Sequence, residues 1–363
     1  MNIIHINTSL NNGGLENMMV DIANEQTKNG HRVVIIIVNK NIDYDILKRI
    51  SSDIKLYLIN RTPGSKSVYS FIKLYILFKK LAKFDIIHSH GTYLGGLLKH
   101  ITTIKMLHTV HDINHATSPL KHYNRVFAIS NAVKHDVENQ CNIKPIVVYN
   151  GIKTKNVKAK DWKRPSCSEE YKLVCVSRLE YKKKGQDILL YALNRLLNEN
   201  KLYDKVRLDF VGDGIEREQL EELSTSLGLA NIVNFIGNKS REWVYEHLAD
   251  YNLFIQPSRY EGFGLTVAEA MAAKLPVIAA HNDGPAEILA NGKYGFLFEN
   301  GNAGDLASKI FHVIELLKQA KLDDMVENAY QYCLKNFDIN ITASKYVDEY
   351  AKLIGLSESG SRG

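Results

Sequence analysis

Glu261 and Glu269 flank a glycine-bracketed turn in Arg259-Tyr260-Glu261-Gly262-Phe263-Gly264-Leu265-Thr266-Val267-Ala268-Glu269-Ala270-Met271. Two carboxylates can serve as acid and nucleophile in glycoside hydrolysis, or they can accept hydrogen bonds from hydroxyls of one ligand. The turn favours the second use. Gly262 and Gly264 expose backbone N–H groups just before a helix, where a phosphate or the hydroxyls of a sugar beside it would be held. Glu261 alone could be a complement to the helix dipole. Thr266 lies three residues before Glu269, on a neighbouring face of the same helix.

A second group of residues supplies positive charge. Arg178 and the run Lys182-Lys183-Lys184 follow an apolar strand-like segment and precede Gly185. A planar guanidinium together with an ammonium makes a diphosphate clamp that needs no metal. Gly13 and Gly14 open another helix after the first apolar run, again allowing backbone amides to approach an anion. No G-x-G-x-x-G follows a strand, so dinucleotide binding is not supported. A paired-carboxylate glycoside hydrolase would account for Glu261 and Glu269 but leaves Arg178, Lys184 and the glycines unexplained. A nucleotide-sugar-binding subunit without turnover is the other alternative.

These groups sit where strand-like runs end. Ile3–Asn7, Arg32–Val38, Ile54–Ile59, Asp85–His88, Met106–His111, Arg125–Ile129 and Ile146–Tyr149 alternate with helical stretches. A polar, Lys-rich interval over 153–170 interrupts the series, and it resumes with Leu173–Ser177, Arg207–Val211, Val233–Gly237, Leu253–Pro257 and Pro276–Ala280. Near-continuous Val/Ile runs between helices indicate parallel sheets covered on both faces. Two doubly wound α/β domains are expected, residues 1–165 and 166–356, with C-terminal helices in the second and a disordered tail over 357–363. Ligands of such sheets bind at the carboxyl ends of the strands.

Composition narrows the setting. The 363 residues are 45% hydrophobic and 24% charged, ordinary for a folded protein. The four cysteines form no C-x-x-C pair, and the amino-terminal segment has no basic, long-apolar leader pattern; a cytoplasmic protein is expected. Residues 1–165 hold 24 Lys+Arg against 11 Asp+Glu, net +13, and the remainder 22 against 29, net −7. A basic half can serve nucleic acid, an anionic membrane surface or an anionic substrate. The apolar, lysine-bearing stretch from Ser70 to Phe84 favours the membrane over nucleic acid. It is too short and too charged to span a bilayer but suits an interfacial helix, unless it packs on its own sheet. His108, His111 and His115 have a metal-like spacing without cysteine or HExxH support, and Asp43-Tyr44-Asp45 imitates a D-x-D motif in a polar turn region; neither is taken as a metal site.

The combination E-G-F-G-L-T-V-A-E-A-M, then L-P-V-I-A, with S-R-L and K-G-Q-D upstream and G-G-L-E near the start, resembles glycosyltransferase family 4 over nearly the whole chain. The resemblance implies the GT-B architecture, two Rossmann-like domains facing an interdomain cleft. It also implies retaining, metal-independent, cofactor-free transfer from a nucleotide diphosphate sugar, UDP-linked, to a saccharide or lipid-linked saccharide. Bacterial surface polysaccharide, lipopolysaccharide or glycoconjugate biosynthesis at the inner membrane face would be the setting. By motif position Glu269 would take the ribose hydroxyls, and Glu261 the donor sugar. The amides of Gly262, Phe263, Gly264 and Leu265 would hold sugar and phosphate. Arg178 and Lys184 would neutralise the diphosphate, with Gly13, Gly14 and Thr266 nearby. His111 would lie near the reaction centre, and Gly237 and Asn238 near the base.

The sequence departs from the family pattern in three places. Lys184 is six residues after Arg178 where five is usual, so Lys183 competes for the diphosphate, although Gly185 favours Lys184. Lys274 occupies a position usually glycine, with an expected strain of about 1 kcal/mol. Pro285 replaces a smaller residue at a helix start, where proline is comfortable.

Overall fold

The computed structural model describes residues 1–11, 13–65, 68–91, 94–162, 170–199 and 206–356. The chain forms two compact units, residues 1–151 with 339–363, and residues 152–338.

In the first unit β1 (Asn2–Asn7), β2 (Arg32–Asn39), β3 (Lys55–Arg61), β4 (Ile86–Ser89), β5 (Lys105–Val110), β6 (Arg125–Ala128) and β7 (Ile146–Val147) make one sheet. Its order is β3-β2-β1-β4-β5-β6-β7, every pairing parallel. Ile3, Ile4 and Ile6 of β1 and Ile35, Ile36 and Ile37 of β2 are wholly buried. That two-sided burial is why these strands read as unbroken apolar runs instead of alternating ones.

The second unit repeats the plan with β8 (Tyr171–Val176), β9 (Val206–Val211), β10 (Val233–Gly237), β11 (Leu253–Gln256), β12 (Val277–Ala280) and β13 (Phe296–Phe298). The order β10-β9-β8-β11-β12-β13 is again all parallel. Its core includes Leu173, Phe210, Leu253, Ile255 and Ile278 of the strands with Leu189, Leu193, Ile310 and Ile314 of the covering helices. In each sheet the strand order reverses once, between β1 and β4 and between β8 and β11. A crevice opens at the carboxyl ends of such a strand pair.

The units do not divide at residues 165/166. The first ends at Gly151, and the helix Ile339–Ile354 belongs to it and not to the second unit. The cause is packing: Tyr346 and Tyr350 are fully buried, with the Tyr346 ring 4.8 Å from that of His88 and 5.1 Å from that of Phe127. Arg125 Nη1 also donates to Glu349 Oε2 at 2.7 Å. An amphipathic periodicity marks a helix but not the sheet it covers. The tail 357–363 and residues 163–169 of the polar interval lie outside the described residues.

The basic apolar stretch forms the helix Val68–Lys80, apolar on both sides. Ser70, Leu74, Leu77 and Phe78 are buried, whereas Val68, Tyr69, Phe71, Ile72, Tyr75 and Ile76 are exposed. Packing on the sheet thus uses only one of its faces. Among the described residues no helix is long and apolar enough to cross a membrane. Asp43 caps the short helix Tyr44–Lys48, accepting from the amides of Asp45 and Ile46, and exposed Asp45 pairs with Lys48. Lys274 does adopt a left-handed backbone, φ 57°, and its ammonium reaches Glu327 at 2.6 Å and the face of Tyr330.

Candidate functional site

In the second unit the crevice between β8 and β11 collects most of the sequence-identified residues. The chain leaves β8 through Ser177 and Arg178, turns through the helix Tyr181–Lys184, and re-enters at Gly185. Gly185 has φ 68°, and a Cβ there would stand 2.0 Å from the Pro257 carbonyl oxygen. Only glycine lets this segment lie against the end of β11. The consequence is a direct link across the crevice: Lys184 Nζ lies 2.6 Å from Glu261 Oε2, with the two side chains 13% and 19% exposed.

The two neighbouring lysines are placed differently. Lys184 points its ammonium to the Glu261 turn, while Lys183 holds the turn through its carbonyl oxygen, which accepts from the Arg259 amide at 2.9 Å. Arg178 is 67% exposed and paired with its neighbour Glu180 at 3.0 Å. Arg259 grips Asp187 bidentately at 2.8 and 2.7 Å and donates to the Tyr181 carbonyl, fixing the two loops together.

The turn itself is built by close backbone approach. Gly264 has φ 101° at the N-cap of the helix Leu265–Ala272. Gly284 packs so tightly that a Cβ would meet the Glu261 carbonyl at 2.6 Å and the Phe263 amide at 2.7 Å. Phe263 is 2% exposed, edge-on to Phe337 at 5.7 Å. The amides before the helix are therefore held by packing, with the positive end of the helix dipole behind them.

Behind the turn runs a polar chain. Thr266 Oγ1 donates to Gln256 Oε1 at 3.0 Å, and Gln256 Nε2 donates to Ser258 Oγ at 2.6 Å. On the β8 side, buried Gln186 donates to Ser177 Oγ at 2.9 Å and to the Arg178 carbonyl at 2.7 Å. Gln186 Oε1 and Oδ1 of Asn282, which follows β12 and donates to the Ser258 carbonyl, are buried without a hydrogen-bond partner.

Glu269 is 5% exposed and sits one helical face away from the turn. Its Oε1 lies 3.5 Å from Nε of Arg241, whose guanidinium also covers the Tyr245 ring at 5.0 Å. Gly237 ends β10 with φ 79°, its carbonyl accepting from the Gly212 amide at 2.9 Å, and Asn238 is exposed beside it. Arg241, Gln256 and Gln186 were not identified from sequence. Arg241 had only its place at a helix start to recommend it, and its pairing with Glu269 is set by tertiary packing.

In the first unit, Gly13 caps the helix Gly14–Lys28 after β1, with Glu16 in the first turn. Burial raises the Glu16 carboxyl above its usual range. His111 lies just past β5, and its Nε2 is 3.1 Å from Nδ1 of His90, which follows β4. His108 is instead fully buried, its ring stacked on Tyr123 at 4.9 Å and on His115 at 5.9 Å. His108 and His111 thus have different neighbours, as the two-residue strand period requires. Among the described residues the histidines close enough to share a metal ion are His5, His88 and His90.

A family model described as "Glycosyl transferases group 1" matches residues 156–332, and one described as "Glycosyltransferase Family 4" matches residues 12–156. The chain belongs to this family and is a glycosyltransferase of the hexosyltransferase type, with the α/β GT-B fold. It is 26% identical over 76% of its length to an uncharacterised glycosyltransferase of Methanocaldococcus jannaschii, covering 81% of that protein. It is 29% identical over 47% of its length to a 2-deoxystreptamine N-acetyl-D-glucosaminyltransferase of Niallia circulans, covering 48% of it. Anabaena HepE, solved in complex with UDP and glucose, superposes with a TM-score of 0.80 at 22% identity, over 97% of this chain and all of that one.

Proposed function

We propose that the protein is a retaining glycosyltransferase that moves a sugar from a UDP-linked donor to a saccharide or lipid-linked saccharide acceptor. The observation that carries this reading is the Lys184–Glu261 contact across the β8/β11 crevice, beside amides held open before a helix. A diphosphate with an attached sugar needs both cations and hydroxyl acceptors within one small volume, and this crevice supplies both. The HepE complexes with UDP, glucose and UDP-glucose support the choice of nucleotide.

In this reading the diphosphate displaces the Lys184–Glu261 contact. Lys184 turns to phosphate, and Glu261 is released to accept from the sugar hydroxyls. Arg178 swings from Glu180 to the phosphate, Glu269 accepts from the ribose, and the Gly237–Asn238 loop borders the base. Gly13, Gly14 and His111 keep the donor-side roles that the resemblance implies. Departure of the diphosphate builds negative charge that Lys184, Arg178 and the amides of Gly262 to Leu265 stabilise electrostatically. The leaving oxygen takes the acceptor proton, so no protein base and no metal is required.

The acceptor setting rests on the exposed apolar face of the helix Val68–Lys80, with Lys73, Lys79 and Lys80 on the same element. A saccharide carried on a lipid at an anionic membrane fits such a face, as in bacterial surface-glycan assembly at the inner side of the cell membrane. A panel of nucleotide sugars assayed for thermal stabilisation and donor hydrolysis tests the donor. Stabilisation by UDP-sugars with full turnover in EDTA is expected; preference for another nucleotide, or loss of activity in EDTA, would overturn the reading.

A further inference from the structure

We propose that Gln26, His5 and His90 form a hydrogen-bonded relay that locks His111 in the tautomer with its proton on Nε2, leaving Nδ1 as a permanent acceptor. His5 Nε2 meets Gln26 Oε1 at 2.8 Å, His5 Nδ1 meets His90 Nε2 at 3.0 Å, and His90 Nδ1 meets His111 Nε2 at 3.1 Å. A neutral imidazole has one N–H and one lone pair, so each link fixes the next. An amide oxygen at one end must receive a proton from His5 Nε2. His5 Nδ1 then accepts from His90, His90 Nδ1 accepts from His111, and His111 Nδ1 carries no proton.

The direction follows from the way the Gln26 amide faces. Its Nε2 donates to the Tyr350 hydroxyl at 3.5 Å, which leaves Oε1 to accept from His5. The Tyr350 hydrogen then goes to His88 Nδ1, 2.5 Å away. His88 in turn donates from Nε2 to Thr109 Oγ1 at 2.7 Å. Each imidazole of the relay then carries one proton.

The rings stay neutral in this arrangement. Burial holds His5 down to about 4 and His111 to about 3, and His88 and His90 well below the usual value, the last three pushed down further by histidine neighbours. His5, His88 and His90 are close enough to ligate a metal, but His5 and His88 already use both ring nitrogens. Gln26, His5 and His90 are positioning residues, acting through His111. An Nδ1 lone pair held in this way accepts from a hydroxyl group and cannot donate to one, and its use on a donor sugar rests on the function proposed above.

Histidine-15N-labelled full-length protein, examined by long-range 1H–15N correlation at neutral pH with each ring assigned by single substitutions, reads the tautomers directly. His5, His90 and His111 are expected with Nε2 protonated and Nδ1 bare. An Nδ1-protonated or tautomer-averaging His111 would overturn the relay, as would about one equivalent of zinc in the purified protein. Gln26→Leu, checked for folding by circular dichroism, should turn the single His111 tautomer into a mixture, although Gln26 does not touch that ring. His90→Asn, which keeps an acceptor near the Nδ1 position, should preserve it. Adding UDP-sugar should then shift the His111 Nδ1 resonance. A correct tautomer without that shift would sink the sugar contact and leave the relay standing.

Discussion

Lys184 Nζ and Glu261 Oε2, 2.6 Å apart, join the loop after β8 to the loop after β11. The pair is neither at the surface nor sealed in the core, so its value lies between that of an exposed bridge and a buried one, about 1–2 kcal/mol. A double-mutant cycle with Lys184→Ala and Glu261→Ala should show coupling of that size in unfolding free energy. The two differ in catalysis. Lys184→Ala should lower both kcat and donor affinity, because a carboxylate then faces phosphate alone, whereas Glu261→Ala should cost mainly kcat. Additive stability effects would remove the pair from the account of the crevice.

Glu269 and Arg241 form the second such contact, and it is deeper. Glu269→Ala should weaken UDP binding by roughly ten- to hundredfold, about 1.5–3 kcal/mol for hydrogen bonds to a charged group. Arg241→Ala removes an ion-pair partner of a buried carboxylate and should destabilise, by up to about 3–5 kcal/mol. Calorimetric titration with UDP and thermal unfolding separate the two, and unchanged UDP affinity in Glu269→Ala would refute the ribose assignment.

Arg178 behaves differently because its side chain is mostly in solvent. Its bridge to Glu180 should contribute little, so Arg178→Ala is expected within about 0.5 kcal/mol of the parent in stability. Its loss should appear in kcat, by tenfold or more, since charge on the leaving diphosphate grows toward the transition state. A wild-type kcat would remove Arg178 from the clamp.

What the sequence disclosed follows from range. Strands buried on both faces leave an apolar run that needs no partner to be recognised, and their ends point to Arg178, Glu261 and Glu269. Gly185 favoured Lys184 over Lys183 only through its place in the family motif, whereas the contact that requires glycine there, with the Pro257 carbonyl, is tertiary. The Glu269–Arg241 pairing is not local. Nothing in either segment specifies the other until β10 and β11 bring their loops into place. The helix Ile339–Ile354 was assigned to the wrong unit for the same reason. The histidine cluster is non-local in the same way. His88 and His90, two residues apart at the end of β4, lie on one side of the strand as its period requires, with rings 4.3 Å apart, but His5 joins them only because β1 pairs with β4.

The helix Val68–Lys80 offers a test of membrane docking. Ile72 and Ile76 are 47% and 48% exposed, so exchanging both for serine should leave the fold intact while removing apolar surface from any interface. Wild-type protein should sediment with vesicles containing anionic phospholipid at low salt and lose part of that binding as salt rises. Ile72→Ser/Ile76→Ser should bind at least about tenfold less, given roughly 25 cal/mol for each Å² of apolar surface buried. Equal partitioning of both proteins would argue against this face.

The buried histidines also set a pH dependence. Burial holds His5 down to about 4 and His111 to about 3, both below the ordinary value of 6.5. Between pH 6.5 and 4 the unfolded chain therefore binds protons that the folded chain excludes. Stability is complete above pH 6.5 and falls as the pH drops through this window. For His5 alone the loss approaches roughly 3 kcal/mol by pH 4. Urea unfolding between pH 7 and 5, above the range of ordinary carboxylates, should show a positive slope of stability against pH. His5→Gln should reduce that slope by about one proton, since it removes one group from the linkage. Identical slopes in the two proteins would mean that His5 is not excluded from protonation in the fold.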